Sequence, residues 1–289
     1  MVIKLAIIPI LRQLLVMTNI KKFLLGKGSA AAYAIITAIF TFVPEDFFKR
    51  GFFPCDWSES TILLVNRLIV FLILFILTNI VYCIYRSHRK SVSISDQSFE
   101  IIIEYGDLIA INDGLKVINF DECFTTTVGD RPIDIKPNSV CGQYLAKYPI
   151  DDMQSLIQSV GLQPVGIAQC NNMPKFVSGM IIPKEDFFLM AFAKLNKDGL
   201  GEMTYTQYLD CLNRLWQQID LYHGTDDVYL PILGSRITRF EKELSQQELL
   251  DIMIASYRLS PKKLKKPCSL HIVCKERENF SLNNIWGVD

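Results

Sequence analysis

No two of the eight cysteines stand as Cys-x-x-Cys, and none has a histidine at metal-ligand distance, so a zinc site is not indicated. Histidine is scarce, and His88, His223 and His271 have no acidic or cysteine partner placed for a catalytic triad. Gly26-Lys-Gly-Ser lacks the spacing of a phosphate-binding P-loop. Asn196-Lys-Asp198-Gly-Leu-Gly201 imitates a calcium loop, but no frame supplies both the fifth-position oxygen ligand with a following glycine and the closing glutamate. Neither a metal nor a cofactor is expected. Net charge is also lacking, since 30 basic residues meet 30 acidic ones.

That zero is an average over two unlike parts. Residues 1–90 hold 11 Lys/Arg against 4 Asp/Glu, and residues 91–289 hold 19 against 26. An acidic C-terminal part of this length can bury a core of its own, and its sign makes nucleic acid a poor partner. Most of its cysteines stand in apolar stretches such as Ser269 to Cys274, where a free thiol acts as a small core residue in a reducing compartment.

Thr61 to Tyr85 reads TILLVNRLIVFLILFILTNIVYCIY, interrupted by one charge, Arg67. As a helix it reaches ~37 Å, more than the ~30 Å of a bilayer's hydrocarbon core. Gly28 to Pro44 is a second uncharged stretch, only ~25 Å long as a helix, so Lys27 would snorkel or the bilayer thin. Lys4, Arg12, Lys21, Lys22 and Lys27 precede this pair, Arg86, Arg89 and Lys90 follow it, and Glu45, Asp46, Asp56 and Glu59 lie between. The positive-inside rule then places both chain ends in the cytoplasm. Asn66 and Arg67 either line a pore or pair across an oligomer, or Arg67 simply snorkels to head groups.

The expected organisation is an amphipathic, basic segment over 1–27, two transmembrane helices with a short external loop over 28–85, a basic junction and polar linker over 86–98, and a cytoplasmic domain over 99–289. Phe99 to Tyr105, Lys116 to Phe120, Asp186 to Ala193, Asp227 to Leu233 and Pro267 to Cys274 read as strands. Thr204 with Gln207, and Ser245 with Glu248, are capping boxes that open amphipathic helices, the second stopped by Pro261. Strands alternating with helices give an α/β domain, whose ligands sit at the carboxyl ends of the strands. Lys262, Lys263, Lys265 and Lys266 form a basic turn expected to be solvated, with contact to anionic lipid as the alternative.

Three loops leave those strand ends. They are Gly106-Asp107-Leu108-Ile109, then Val117 to Glu122 with its Cys-Phe-Thr-Thr-Thr continuation and Ser139 to Gln143, then Leu230-Pro-Ile-Leu-Gly-Ser-Arg236. In this order they resemble the macrodomain, an α/β fold with a mixed sheet flanked by helices that binds ADP-ribose. The resemblance implies that Asp107 accepts the adenine amine and that Gly234 and Ser235 wrap the diphosphate. Asp121, Glu122, Phe124, Thr125 and Gln143 then border the terminal ribose, where carboxylates would suit an ammonium group. Leu108, Asn119, Ser139, Gly142, Leu233, Arg236 and Ile237 complete the expected ligand-binding set. Phe120-Asp121-Glu122 replaces the Ala-Ala-Asn of hydrolytic macrodomains, and Arg236 replaces a second glycine, so no catalytic residue is expected.

The two amino-terminal apolar stretches, the Phe-Thr-Thr continuation and the Asn-Ser-x-x-Gly-Gln stretch are similar to a narrower group, the membrane-anchored macrodomain effectors of type II Thoeris antiphage defence. That resemblance implies a multi-pass protein of the bacterial cell membrane. It senses an NAD-derived conjugate of ADP-ribose, histidine-ADP-ribose, made by a TIR-domain NADase, forms a ligand-induced homo-oligomer and disrupts the bilayer to abort infection. A membrane-tethered ADP-ribosyl hydrolase is the alternative.

Overall fold

Ser58 accepts the amide of Thr61 at the head of the apolar run, and the residues behind it have no proline or glycine to break a helix. The computed structural model describes residues 27–49, 58–235, 238–276 and 280–285. The expected N-terminal segment, apart from Lys27, and most of the expected external loop lie outside the described residues. The chain divides into two units, Met1–Arg89 with Asp289, and Lys90–Val288.

The first unit holds α1 (Lys27–Phe42), the short α2 (Glu45–Phe48) and α3 (Glu59–Ser87). Helices α1 and α3 pack through Ala32, Ile36 and Phe75, with the Tyr33 ring 5.6 Å from that of Phe75. Gly28 permits the close approach, because a Cβ there would fall 2.6 Å from the Tyr82 ring. Within α3, Glu59–Arg86 is, among the described residues, the one helix long and apolar enough to cross a membrane. Its 28 residues rise ~42 Å, whereas Gly28–Phe42 is shorter than a usual span. Leu64, Leu68, Leu72, Ile76 and Val81 stand exposed along α3. Asn66 and Arg67 turn inward to their own chain. The Asn66 amide donates to the carbonyl of Phe48 (2.7 Å), and Arg67 pairs with Glu45 (3.0 Å) while its guanidinium lies 5.5 Å from the Phe48 ring. They tie α2 to α3.

The second unit runs β1 (Ser91–Ser95), β2 (Glu100–Tyr105), a 3-10 turn (Leu108–Ala110), β3 (Leu115–Asp121), α4 (Val140–Lys147) and α5 (Met153–Ser159). It continues with β4 (Gly166–Ile167), β5 (Pro174–Lys175), β6 (Ile181–Lys184), β7 (Phe187–Leu195), β8 (Gly201–Met203) and α6 (Tyr205–Tyr222). Then come β9 (Val228–Pro231), β10 (Arg239–Phe240), α7 (Gln246–Leu259), β11 (Leu270–Cys274) and a 3-10 turn (Leu282–Asn284). The main sheet has the order β1-β2-β11-β9-β3-β7-β8-β10, with β6 beside β7. Its centre, β2-β11-β9-β3-β7, is parallel; β1 pairs antiparallel with β2, β6 and β8 pair antiparallel with β7, and β10 pairs parallel with β8. The mixed α/β sheet is as expected.

Period-two alternation divides the core into two layers. Phe188, Met190 and Phe192 of β7 face α6 and α7, joining Leu212, Trp216 and Met253, while Phe187, Leu189 and Ala191 face α4 and α5, joining Tyr144 and Ile157. Both expected capping boxes form, at Thr204 with Gln207 and at Ser245 with Glu248. The calcium-like stretch is the β7–β8 turn, where the Asn196 side chain accepts the amides of Asp198 (2.9 Å) and Leu200 (3.0 Å).

Three expectations need correction. Residues 91–95, expected within a polar linker, form β1, because Val92 and Ile94 face the core while the serines between them face out. His271 does have acidic partners: its Nδ1 lies 2.9 Å from Glu104 and its Nε2 3.8 Å from Asp227, and the Tyr229 ring stacks on it at 4.2 Å. The lysine turn is engaged and not merely solvated. Lys262 pairs with Asp220 (3.1 Å), Lys263 donates to the carbonyl of Ser260, and Lys266 donates to Ser95 Oγ and the carbonyl of Asp96 (2.7 Å each).

Candidate functional site

The parallel strands end together on one side of the sheet, and the three expected loops emerge there. Gly106 follows β2 and donates its amide to the carbonyl of Cys274 (3.0 Å), so the ends of β2 and β11 are joined. Asp107 then caps the 3-10 turn by accepting the amide of Ile109 (3.2 Å), an Asx device that fixes the direction of its carboxylate. Leu108 is buried beneath it. Across from Asp107 stand Asn138, Val140, Ile232 and Ser235, enclosing with it a cavity of about 60 Å³.

A second cavity, of about 100 Å³, lies along Asn119, Asp121, Lys136, Ser139, Phe192 and Thr238. The two share a partition. Asn138 and Val140 face the first while Lys136, Ser139 and Cys141 face the second, and Ser235 and Thr238 divide in the same way. Ser139 is the N-cap of α4, accepting the amide of Gly142 (2.9 Å) and donating to the carbonyl of Lys136 (2.7 Å). Arg236 and Ile237 lie outside the described residues.

The Leu233-Gly234-Ser235 turn is held from behind by residues that sequence reasoning missed. Tyr208 donates its hydroxyl to the carbonyl of Leu233 (3.1 Å), and the Leu233 amide donates to Met253 Sδ (3.4 Å). Gly234 has φ +80, and a Cβ on it would fall 2.9 Å from the Phe240 ring. Phe240 in turn packs edge-on against Tyr208 at 5.4 Å. These anchors stand 6 to 25 residues from the turn in sequence, and only the periodic burial of Tyr208 and Met253 signalled them.

The residues after β3 divide between cavity and core. Asn119 lines the second cavity, and its side chain has no hydrogen-bond partner among the described residues. Asp121 accepts the amides of Cys123 (2.8 Å) and Thr125 (3.3 Å) and the Thr125 hydroxyl. Burial pushes its carboxyl above the usual carboxylate range, against the lowering effect of those bonds. Glu122 lines neither cavity, for its carboxylate accepts the amide of Leu195 (3.0 Å) and so ties β3 to β7. Phe124 is buried at φ 53 against Phe120 and Phe176. Gly142 is packed so closely on Lys136 that a Cβ would meet its carbonyl at 2.3 Å, and Gln143 donates to the carbonyl of Asn138 (3.2 Å). Burial pushes the Cys123 thiol up to about 12 and raises that of Cys141, so neither offers a thiolate nucleophile near neutral pH. A larger cavity, of about 560 Å³, opens beside β8 and β10 between Lys194, Glu202, Gln207 and Arg239, away from Asp107.

The Thoeris protein ThsA macro-domain family matches residues 101–275. The chain belongs to that family. The match opens at the second residue of β2 and closes just beyond β11, taking in all three loops. The Thoeris protein ThsA of Bacillus amyloliquefaciens (strain Y2) is 27% identical over 235 residues, 75% of this chain and 77% of that one. Similar solved structures include a mutant of the Oceanobacillus iheyensis macrodomain, with TM-score 0.42 and 10% identity over 65% of this chain and 91% of that one. Another is the macrodomain of Thermus aquaticus DarG, with TM-score 0.37 and 13% identity over 61% and 98%.

Proposed function

We propose that the protein is a membrane-anchored effector of bacterial antiphage defence that binds an ADP-ribose conjugate in its macrodomain. On binding it oligomerises and disrupts the membrane. Histidine-ADP-ribose, made by a partner TIR-domain NADase, is the conjugate that family membership suggests. The observation that carries this reading is that Asp107 and Ser235, the residue after Gly234, line one cavity, on a chain that also holds an exposed 28-residue apolar helix. A carboxylate at the first position suits the adenine amine, and the backbone amides of a glycine turn suit a diphosphate. Neither cavity is large enough for the whole ligand, so the partition between them opens when it binds.

Helix α3 spans the bilayer, and α1, too short for a full thickness, spans beside it with Lys27 at the lipid surface. The charge asymmetry of the flanking segments supports a cytoplasmic N-terminus and macrodomain. Binding without hydrolysis fits the closed turn after β3, where Asp121 is occupied by two amides and a hydroxyl and Glu122 by Leu195. Release of free ADP-ribose from a modified substrate would replace this reading with a tethered hydrolase.

Calorimetry against ADP-ribose tests the site. Asp107→Ala removes an acceptor worth ~1.5 to 3 kcal/mol, so affinity should fall roughly ten- to a hundredfold. Unchanged affinity would remove Asp107 from the site.

A further inference from the structure

Strand β1 is an edge of the main sheet and lines neither of the two cavities at the strand ends. Bonds at both ends of the β1–β2 hairpin fix which way that backbone faces. The amide of Asp96 donates to the carbonyl of Phe99 and the amide of Tyr105 to the carbonyl of Lys90, each at 3.0 Å. Hydrogen-bonded pairs recur at every second residue of an antiparallel ladder, so Val92 and Ile94 bond Ile103 and Ile101. The amides and carbonyls of Ser91, Ser93 and Ser95 therefore point away from β2. Among the described residues no strand covers them.

Such an edge pairs with another strand unless proline, charge, a bulge or a covering element prevents it. Strand β1 has no proline, no charge and an unshifted register. Lys266 reaches the Ser95 hydroxyl, not its backbone.

The strand also complements itself. Ser91-Val92-Ser93-Ile94-Ser95 laid antiparallel on a second copy, centred on Ser93, sets Ser93 against Ser93, Ser91 against Ser95 and Val92 against Ile94. All the outward-facing residues then meet outward-facing residues, closing roughly six main-chain hydrogen bonds. The core-facing side chains of both copies stay on one face, as continuous pairing requires. Tyr105 connects this edge to the ligand: its amide holds Lys90, its hydroxyl accepts the amide of Leu282 (3.4 Å), and Gly106 and Asp107 follow it.

We propose that two copies of the chain associate edge to edge through β1, joining their sheets across a two-fold axis at Ser93. The proposal rests on the reading of the protein as an effector that assembles. The occupant of the edge is a second copy because the register is symmetric and isologous pairing closes without leaving outward groups unmatched.

The test uses the full chain in liposomes, oxidised with and without ADP-ribose. In the proposed register Ser93 lies about 5.5 Å from its symmetry mate, within disulfide range, whereas the two copies of Ser91 lie ~14 Å apart. Ser93→Cys should crosslink to dimers roughly tenfold above both Ser91→Cys and the unmutated chain, whose own cysteines set the background. Ser93→Pro removes an outward amide that β2 does not use, so dimers should be lost while ADP-ribose affinity stays within about twofold. Ser93→Lys should do the same through edge charge, should proline disturb β1. Equal crosslinking of Ser91→Cys and Ser93→Cys, or none from Ser93→Cys while ADP-ribose binds, overturns the β1 interface and leaves the ligand site standing. Failure of the unmutated chain to bind ADP-ribose overturns the ligand reading instead, and the crosslinks formed without ligand still decide the edge.

Discussion

Gly234→Val should abolish measurable ADP-ribose binding, a loss of more than ~100-fold. Two effects combine. At φ +80 a β-branched residue costs about 1–3 kcal/mol of backbone strain. The new Cβ also falls 2.9 Å from a Phe240 ring that Tyr208 holds in place, so the turn must move. The turn carries the amides assigned to the diphosphate, and moving it forfeits charge-assisted bonds of ~1.5 to 3 kcal/mol each. Gly224→Ala is the control. Its φ is +62 and nothing lies within 4 Å of the added carbon, so it should cost stability without changing affinity. Equal affinity losses at the two glycines, read by calorimetry, would show that the Gly234 effect is global and not local.

Trp216→Ala should destabilise the macrodomain by ~3–5 kcal/mol. Trp216 is 1% exposed, its ring meets Tyr257 edge-on at 5.1 Å, and its indole donates to Ser256 Oγ (3.1 Å). It joins α6 to α7 over the sheet, and truncation leaves a cavity between two helices that also hold Tyr208 and Met253, the anchors of the Gly234 turn. Trp216→Phe keeps the ring contact and loses only the indole bond and some volume, so it should cost less than half as much. Urea unfolding checks both, as a shift of the midpoint at constant slope.

Much of this architecture was legible because its strands are buried on both faces and so read as continuous apolar runs. FEIIIEY, VINF and FFLMAFA announce β2, β3 and β7, and Thr204 and Ser245 announce α6 and α7 through caps that local geometry enforces. Strand β1 was not legible, since five residues with two apolar side chains resemble a linker until β2 is laid beside them. Helix α4 hid for a related reason, its N-cap Ser139 reading as part of a loop. Pairings across long sequence distances left no local trace either. Arg67 with Glu45, and His271 with Glu104, depend on turns that bring separate segments together. At the candidate site, Asp107 and Gly234 were singled out through the resemblance to the macrodomain, whereas the inward turn of Glu122 to Leu195 required the β3–β7 register.

Dye release from liposomes holding the full chain, with histidine-ADP-ribose added and plain ADP-ribose alongside, tests the ligand-gated membrane account most directly. The account predicts release only when the conjugate is present, and none from Gly234→Val or from a chain lacking residues 1–89. Release that is the same with and without the conjugate, or that persists in the shortened chain, would contradict it.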